Sequence, residues 1–171
     1  MDGTGDTDRT GDTDRTGGAD PPGRRPPGQI TLIVDGANVM GSRANGWWRD
    51  RAGAMARLHD ELVALAGRGV AGPPPGDDRD GSGGGDAART WFPRILLVTE
   101  GKARAAAGRV SPGPGVELIT APGEGDDEIA RLAASVPGRR IVITADQELR
   151  RRARQAGAEV AGPRWLTGLL P

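Results

Sequence analysis

Residues 30–38 read Ile-Thr-Leu-Ile-Val-Asp-Gly-Ala-Asn, so five aliphatic or β-branched residues run directly into an acid, a glycine and an asparagine. The run shows no alternation of polar and apolar residues, which is typical of a strand that is covered on both faces in a parallel sheet. Gly36 allows the backbone to turn sharply where the strand ends. Asp35 and Asn38 are therefore predicted to lie at the rim of the sheet, where open α/β sheets bind ligands.

Two later segments repeat this arrangement. Residues 141–146 read Ile-Val-Ile-Thr-Ala-Asp, and the apolar strand predicted over 116–120 is followed by Gly-Glu-Gly-Asp-Asp at 123–127. Further strands are predicted over 94–99 and 158–161, with helical patterns between the strands. This alternation predicts a three-layer α/β/α sandwich with a mostly parallel sheet of about five strands.

The composition restricts the class of protein. The sequence contains no cysteine, which excludes disulfides and thiolate metal sites and favours a reducing, cytoplasmic location. No apolar run approaches the length of a membrane span, and the polar, acidic N-terminus is unlike a signal peptide. The formal net charge is zero, but much of the acid lies in low-complexity segments. The remainder is basic, which permits nucleic-acid binding.

One folded domain is predicted over residues 29–171. Residues 4–9, Thr-Gly-Asp-Thr-Asp-Arg, recur at 10–15, and four prolines follow before residue 28. Nothing apolar recurs there, so residues 1–28 are predicted to be a disordered tail. Residues 69–90, rich in glycine and proline, lie between a helix and a strand and are predicted to form a flexible inserted loop.

A helix is predicted through about residue 66 from an apolar stripe at helical spacing. The stripe consists of Met55, Leu58, Leu62 and Leu65. Trp47 and Trp48 precede this helix. Because adjacent helical residues point about 100° apart, we expect one tryptophan to pack against the core and the other to be available to a ligand.

Three acids are predicted to reach one edge of the sheet from three strand ends, namely Asp35, Asp146 and either Asp126 or Asp127. Hard carboxylate oxygens favour Mg²⁺ or Mn²⁺. Without a cation the carboxylates would repel one another, so Asp→Asn changes at 35 or 146 are expected to leave the metal-free fold at least as stable. Each acid has a structural alternative, because an aspartate after a strand is often a helix N-cap.

The two neighbouring aspartates are expected to differ. Asp126 shares the face of the predicted helix that carries Ile129 and Ala133, so it should point towards the rim of the sheet. Asp127 is rotated away and is expected to form an exposed ion pair with Arg131.

Several polar and aromatic residues are candidates to act beside these acids. Asn38 is a candidate to orient a ligand or an attacking water, and the hydroxyl of Thr144 is a candidate to support Asp146. Arginines can contact phosphates, and an exposed tryptophan can stack on an unpaired base. The candidate substrate-binding residues are Arg43, Trp48, Arg49, Arg51, Thr144 and Arg150.

Three motifs in order carry a resemblance to a known family: Asp-Gly-Ala-Asn at 35–38, Gly-Glu-Gly-Asp-Asp-Glu-Ile-Ala at 123–130, and Ile-Thr-Ala-Asp at 143–146. Together they resemble the NYN domains, and among these the YacP-like branch of the PIN-like ribonucleases. The resemblance covers residues 30–166. It implies a five-stranded parallel sheet and metal-dependent hydrolysis of the phosphodiester bonds of RNA.

By motif, the resemblance implies that Asp35, Asp126 and Asp146 are metal ligands, with Asn38 and Asp127 close by. Many members of the superfamily have a further acid on a middle helix. Glu100 is the best substitute in this sequence, which is a departure from the family pattern and leaves open whether one or two metals bind.

Two other functions are compatible with the same residues. A nucleoside triphosphate pyrophosphohydrolase would apply the acids and the metal to a phosphoanhydride bond. The absence of a Gly-x-x-x-x-Gly-Lys-Ser/Thr run in the sequence excludes only a P-loop. A non-catalytic RNA-binding module is the other alternative, and the three intact aspartates count against it. The sequence identifies no protein partner and no oligomeric state.

Overall fold

The structure, a computed structural model, describes residues 29–76 and 90–171. The predicted tail, 1–28, and the middle of the predicted insertion, 77–89, lie outside the described residues. Within the described ranges, no helix is long and apolar enough to cross a membrane.

A five-stranded parallel sheet forms the centre of the molecule, as the alternation of strands and helices predicted. The strands are β1 (Thr31–Asp35), β4 (Arg94–Thr99), β5 (Val116–Thr120), β6 (Arg140–Ile143) and β7 (Glu159–Ala161). Their order across the sheet is β5-β4-β1-β6-β7. Two short strands, β2 (Val70–Ala71) and β3 (Thr90–Trp91), pair antiparallel outside this sheet.

Helices cover both faces of the sheet. They are α1 (Gly36–Gly41), α2 (Arg51–Arg68), α3 (Gly125–Ser135), α4 (Gln147–Gln155) and α5 (Pro163–Thr167). Two stretches, Trp47–Arg49 and Gly101–Gly108, form 3₁₀ helices. The predicted insertion, 69–90, therefore begins and ends in paired strands, and Trp91 donates its indole N–H to the Gly72 carbonyl over 3.0 Å.

The core consists of two apolar layers, one on each face of the sheet. Leu32 and Val34 of β1 belong to the layer formed with α1, α2 and α5. Ile33 lies between them in sequence and belongs to the layer formed with α3 and α4. Successive strand residues point to opposite faces, so a central strand with helices on both sides must be apolar at every position. This explains the unbroken run in β1.

The order of the strands fixes where a ligand can bind. From the central β1 the chain passes to β4 and β5 on one side, and then returns to β6 and β7 on the other. In such sheets the connections on the two sides diverge, which leaves a crevice at the carboxyl ends of the strands. Here the crevice lies between β1 and β6, where Asp35 and Asp146 are found.

Candidate active site

Asp35 is the last residue of β1 and the N-cap of α1. Its side chain is buried, and both carboxylate oxygens accept hydrogen bonds. Oδ1 accepts from the Asn38 backbone N–H over 3.0 Å, and Oδ2 accepts from the Asn38 side-chain amide over 2.9 Å. The Asp-Gly-Ala-Asn turn therefore holds the carboxylate in place at the carboxyl end of β1.

Thr144 connects this turn to the one that follows β6. It is fully buried. Its hydroxyl donates to Oδ2 of Asp35 over 2.8 Å and accepts from the backbone N–H of Asp146 over 3.1 Å. Asn38 spans the same gap, because its Oδ1 accepts from the Ala145 backbone N–H over 3.3 Å. The structure thus places Thr144 under the acids and away from solvent, where it cannot contact a substrate.

Asp146 is the N-cap of α4, since its Oδ1 accepts from the Leu149 backbone N–H over 2.7 Å. Asp35 and Asp146 both have the capping role that was the structural alternative for these acids. A cap uses one lone pair of a carboxylate that offers about four, so capping leaves Asp146 able to interact with a ligand as well.

Asp126 lies in the first turn of α3 and is half-buried. Among the described residues its carboxylate accepts no hydrogen bond, unlike that of Asp35 or Asp146. Burial raises the pKa of the Asp126 carboxyl, and the nearby carboxylates of Asp35, Asp146 and Glu100 raise it further. Asp126 therefore lies close enough to three other acids to be repelled by their charges.

The pKa of Asp35 is also raised. Burial is the largest cause, and Glu100 adds to it through its charge. Hydrogen bonds from Asn38 and Thr144 act in the opposite direction. Asp35 is therefore a carboxyl whose negative charge is costly to maintain, even with three donors around it.

These residues match a hard divalent cation in their donor chemistry. The acids near Asp126 offer carboxylate oxygens, which Mg²⁺ and Mn²⁺ prefer. The mutual repulsion of the acids is the kind that a cation relieves. Across residues 29–76 and 90–171, however, no three acidic or histidine side chains are already grouped closely enough to hold a metal ion.

Asp127 differs from its neighbour in exposure and partner. Its side chain is 70% exposed and pairs over 2.8 Å with Arg152 of α4. The prediction that Asp127 pairs with Arg131 is wrong, because Arg131 donates to both carboxylate oxygens of Glu128, at 2.9 and 2.5 Å. Since Glu128 is three residues before Arg131, the local helical pair forms there, and Asp127 turns towards the next helix.

The predicted substrate-binding arginines fall into separate environments. Arg43 is half-buried and pairs with Glu61 of α2 over 2.7 Å. Arg49, which precedes α2, and Arg51, the first residue of α2, are both exposed. We call the edge of the sheet that carries Asp35, Asp126, Asp146 and Glu100 the acidic edge. Arg150 lies in α4 beside it, with one guanidinium nitrogen 3.4 Å from the carbonyl oxygen of Thr144.

The two tryptophans behave differently from one another. Trp47 packs against the core, whereas Trp48 is 56% exposed. Their rings meet edge to face, with centroids 6.4 Å apart. Arg49 lies 5.9 Å from the centre of the Trp48 ring, so the exposed tryptophan carries a positive charge beside it.

Two contacts at the start of α3 were not predicted from the sequence. Glu100 accepts a hydrogen bond from the Gly125 backbone N–H over 2.5 Å. Arg104 donates to the Gly123 carbonyl over 2.6 Å. The glycines of the Gly-Glu-Gly run before Asp126 were the only local signal that another part of the chain approaches here.

The fold is that of Rae1 (YacP) from Bacillus subtilis. One crystal structure of that protein aligns with a TM-score of 0.53 and 18% sequence identity, over 81% of this chain and 72% of that chain. A tryptophan-to-leucine mutant of it aligns with a TM-score of 0.48 and 18% identity, over 82% and 74%. In sequence, the chain matches no protein-family model and none of the curated proteins compared. The predicted resemblance to the YacP-like, PIN-like proteins is therefore confirmed at the level of the fold.

Proposed function

We propose that this protein is a metal-dependent ribonuclease that hydrolyses phosphodiester bonds of RNA at the carboxyl edge of its sheet. The observation that carries this proposal is that Asp35, Asp146 and Glu100 all lie near Asp126, whose pKa is raised by burial first and then by these three carboxylates. Perturbed acids in a crevice are typical of functional sites. The YacP-like motifs and the Rae1-like fold support the same conclusion.

Asp35, Asp126 and Asp146 would hold Mg²⁺ or Mn²⁺, with Asp127 as a more distant acid. The metal would lower the pKa of a bound water and offset the charge that develops on the phosphate. Asn38 and Thr144 hold the turns after β1 and β6 together. They keep Asp35 and Asp146 in fixed relative positions, which is what positioning of a scissile phosphate requires.

RNA would be bound around this edge by exposed aromatic and basic side chains. Trp48 offers a ring for an unpaired base, and Arg49 lies beside that ring with its positive charge. Arg51 lies over the neighbouring ring of Trp47 instead. Arg150 lies beside the turn after β6, with its guanidinium near the Thr144 carbonyl, and would contact a phosphate of the bound RNA. Arg43 contributes less, because Glu61 already neutralises it. We place this activity in the cytoplasm, since the sequence has no cysteine for disulfides.

The direct test offers the purified protein a labelled single-stranded RNA and, separately, a mixture of nucleoside triphosphates. Each is incubated with Mg²⁺, with Mn²⁺ and with EDTA. We expect RNA to be shortened only when metal is present and the triphosphates to remain intact. Release of pyrophosphate from the nucleotides would identify a pyrophosphohydrolase instead. RNA that is retained but uncut in every condition would identify a binding module.

A further inference from the structure

Glu100 contacts a helix that lies 25 residues further along the chain. It follows β4 directly, and its Oε2 accepts a hydrogen bond from the backbone N–H of Gly125, the first residue of α3. The N-cap residue of α3, Glu124, makes no capping hydrogen bond with its own side chain. Glu100 therefore supplies, from another part of the fold, an acceptor that a helix N-terminus needs.

The absence of a side chain at Gly125 leaves room for this contact. A Cβ atom at this position would lie 2.9 Å from Oε2 of Glu100 and 3.2 Å from its Cδ. Gly125 is absent from the glycines with positive φ, so its backbone conformation does not require glycine. Alanine is the better helix former, which leaves the space taken by the Glu100 carboxylate as the reason for a glycine here.

A second contact holds the same turn. Arg104, in the 3₁₀ helix that follows Glu100, donates to the carbonyl of Gly123 over 2.6 Å. The segment after β4 thus contacts the start of α3 on both sides of Glu124, at Gly123 and at Gly125. The next residue along the chain from Gly125 is Asp126.

We propose that Glu100 is a positioning residue: by binding the Gly125 amide it fixes the first turn of α3 and so holds Asp126 at the acidic edge. This inference rests on the proposed metal site, because Asp126 needs a fixed position only if it binds a metal. Asp35 and Asp146 are positioned by caps of their own turns, whereas the carboxylate of Asp126 accepts no hydrogen bond in the described chain. Its position depends on the helix that carries it, which Glu100 holds in place. The sequence had suggested Glu100 as a substitute metal ligand.

Three variants separate the positioning role from the ligand role. Glu100→Gln keeps an oxygen that accepts from the Gly125 amide and removes only the charge. Glu100→Ala removes both the oxygen and the charge. Gly125→Ala leaves Glu100 intact but brings a methyl carbon within 2.9 Å of its Oε2, so the carboxylate must shift. Glu117→Ala is the matched control, since Glu117 is an exposed acid on β5 that pairs with Arg94.

Two measurements on each variant report the hydrogen bond between Glu100 and Gly125 and the affinity for Mn²⁺. Hydrogen exchange of the Gly125 amide, followed by NMR without metal, reports the hydrogen bond. Titration with Mn²⁺ alone, followed by electron paramagnetic resonance, gives the dissociation constant. Circular dichroism shows that each variant is folded.

We expect Glu100→Gln to keep the Gly125 amide protected and to bind Mn²⁺ within about fivefold of the wild type, the most that one partly exposed charge contributes. Glu100→Ala and Gly125→Ala should lose the protection and bind Mn²⁺ about 10- to 100-fold more weakly, as when a residue that orients a metal ligand is lost. Glu117→Ala should match the wild type in both measurements.

Other outcomes would overturn the positioning role. A loss of Mn²⁺ affinity in Glu100→Gln equal to that in Glu100→Ala would identify Glu100 as a ligand. Wild-type affinity in both Glu100→Ala and Gly125→Ala would show that the contact does not hold Asp126. A wild type that fails to bind Mn²⁺ would overturn both this role and the proposed metal site. A wild type that binds Mn²⁺ but leaves RNA uncut would overturn only the ribonuclease function.

Discussion

The hydroxyl of Thr144 donates a hydrogen bond to Oδ2 of Asp35 over 2.8 Å, across 109 residues of sequence. The same hydroxyl accepts from the backbone N–H of Asp146 over 3.1 Å. One buried side chain therefore connects the carboxylate at the end of β1 with the turn after β6. Because the hydroxyl is fixed by both partners, the separation of the two acids is set by the protein before any ligand binds.

Asp35→Asn should destabilise the fold, contrary to what carboxylate repulsion alone predicts. Both oxygens of Asp35 accept hydrogen bonds, and an asparagine presents only one oxygen to these donors. A buried donor left without its acceptor costs about 1–3 kcal/mol. Urea unfolding in EDTA measures the change.

Asp126→Asn is the comparison, because the side chain of Asp126 accepts no hydrogen bond within the described ranges. It should be as stable as the wild type or more stable. An Asp35→Asn protein as stable as Asp126→Asn would mean that relief of repulsion outweighs the lost hydrogen bonds.

The stability of the metal-free protein should carry a pH dependence that depends on Asp126. Its pKa in the folded chain is raised above the ordinary value of 3.8, by burial first and then by neighbouring carboxylates. A raised carboxyl pKa contributes stability that is fully present below 3.8 and is lost as the pH rises through the folded value. The wild type should therefore lose stability relative to Asp126→Asn as the pH rises from about 4 towards neutral.

Comparison of the two proteins removes the effect of acids that do not interact with Asp126. Asp50, Glu128 and Glu148 have lowered pKa values and so act in the opposite direction. They are present in both proteins, so their effects cancel. Unfolding free energies measured in EDTA across this pH range give the difference. A difference that is constant with pH would show that Asp126 has an ordinary pKa.

Trp48→Ala should weaken the binding of single-stranded RNA. Stacking of a base on an aromatic ring contributes about 1–3 kcal/mol, which corresponds to about a 5- to 150-fold rise in the dissociation constant. Binding is measured in EDTA, where RNA is not expected to be cut. Duplex RNA should be affected much less, because its bases are already stacked on one another.

Phe92→Ala is the matched control for this prediction. Phe92 is 57% exposed, close to the 56% of Trp48, and it precedes β4 at the opposite edge of the sheet. Its removal should leave RNA binding unchanged. An equal effect of the two substitutions would indicate non-specific contact of RNA with exposed aromatic rings.

The sheet could be predicted from the sequence because each strand is signalled locally. The unbroken apolar run before Asp35 requires burial on both faces, and a similar run precedes Asp146. Placing both acids at one edge needs only the rule that parallel strands have their carboxyl ends together. The exposure of Asp127 also followed from helical phase alone.

The contacts between distant segments could not be predicted in this way. Asp127 pairs with Arg152 because α3 and α4 lie side by side on one face, which the sequence does not specify. The hydrogen bond from Gly125 to Glu100 likewise depends on where α3 starts relative to the end of β4. Local pattern gave the candidate residues, and the packing of helices determined their partners.

RNA is proposed to be hydrolysed at the acidic edge. Comparing Asp126→Asn with Asp127→Asn tests this proposal most directly. Single-turnover cleavage of a labelled single-stranded RNA is measured with Mn²⁺ and with Mg²⁺, at protein concentrations that saturate binding. Asp126→Asn should lose activity by several orders of magnitude and remain folded. Asp127→Asn should stay within about fivefold of the wild type, since an exposed ion pair contributes about 0.2–1 kcal/mol. Equal losses in the two variants, or a larger loss in Asp127→Asn, would contradict the assignment of Asp126 to the site.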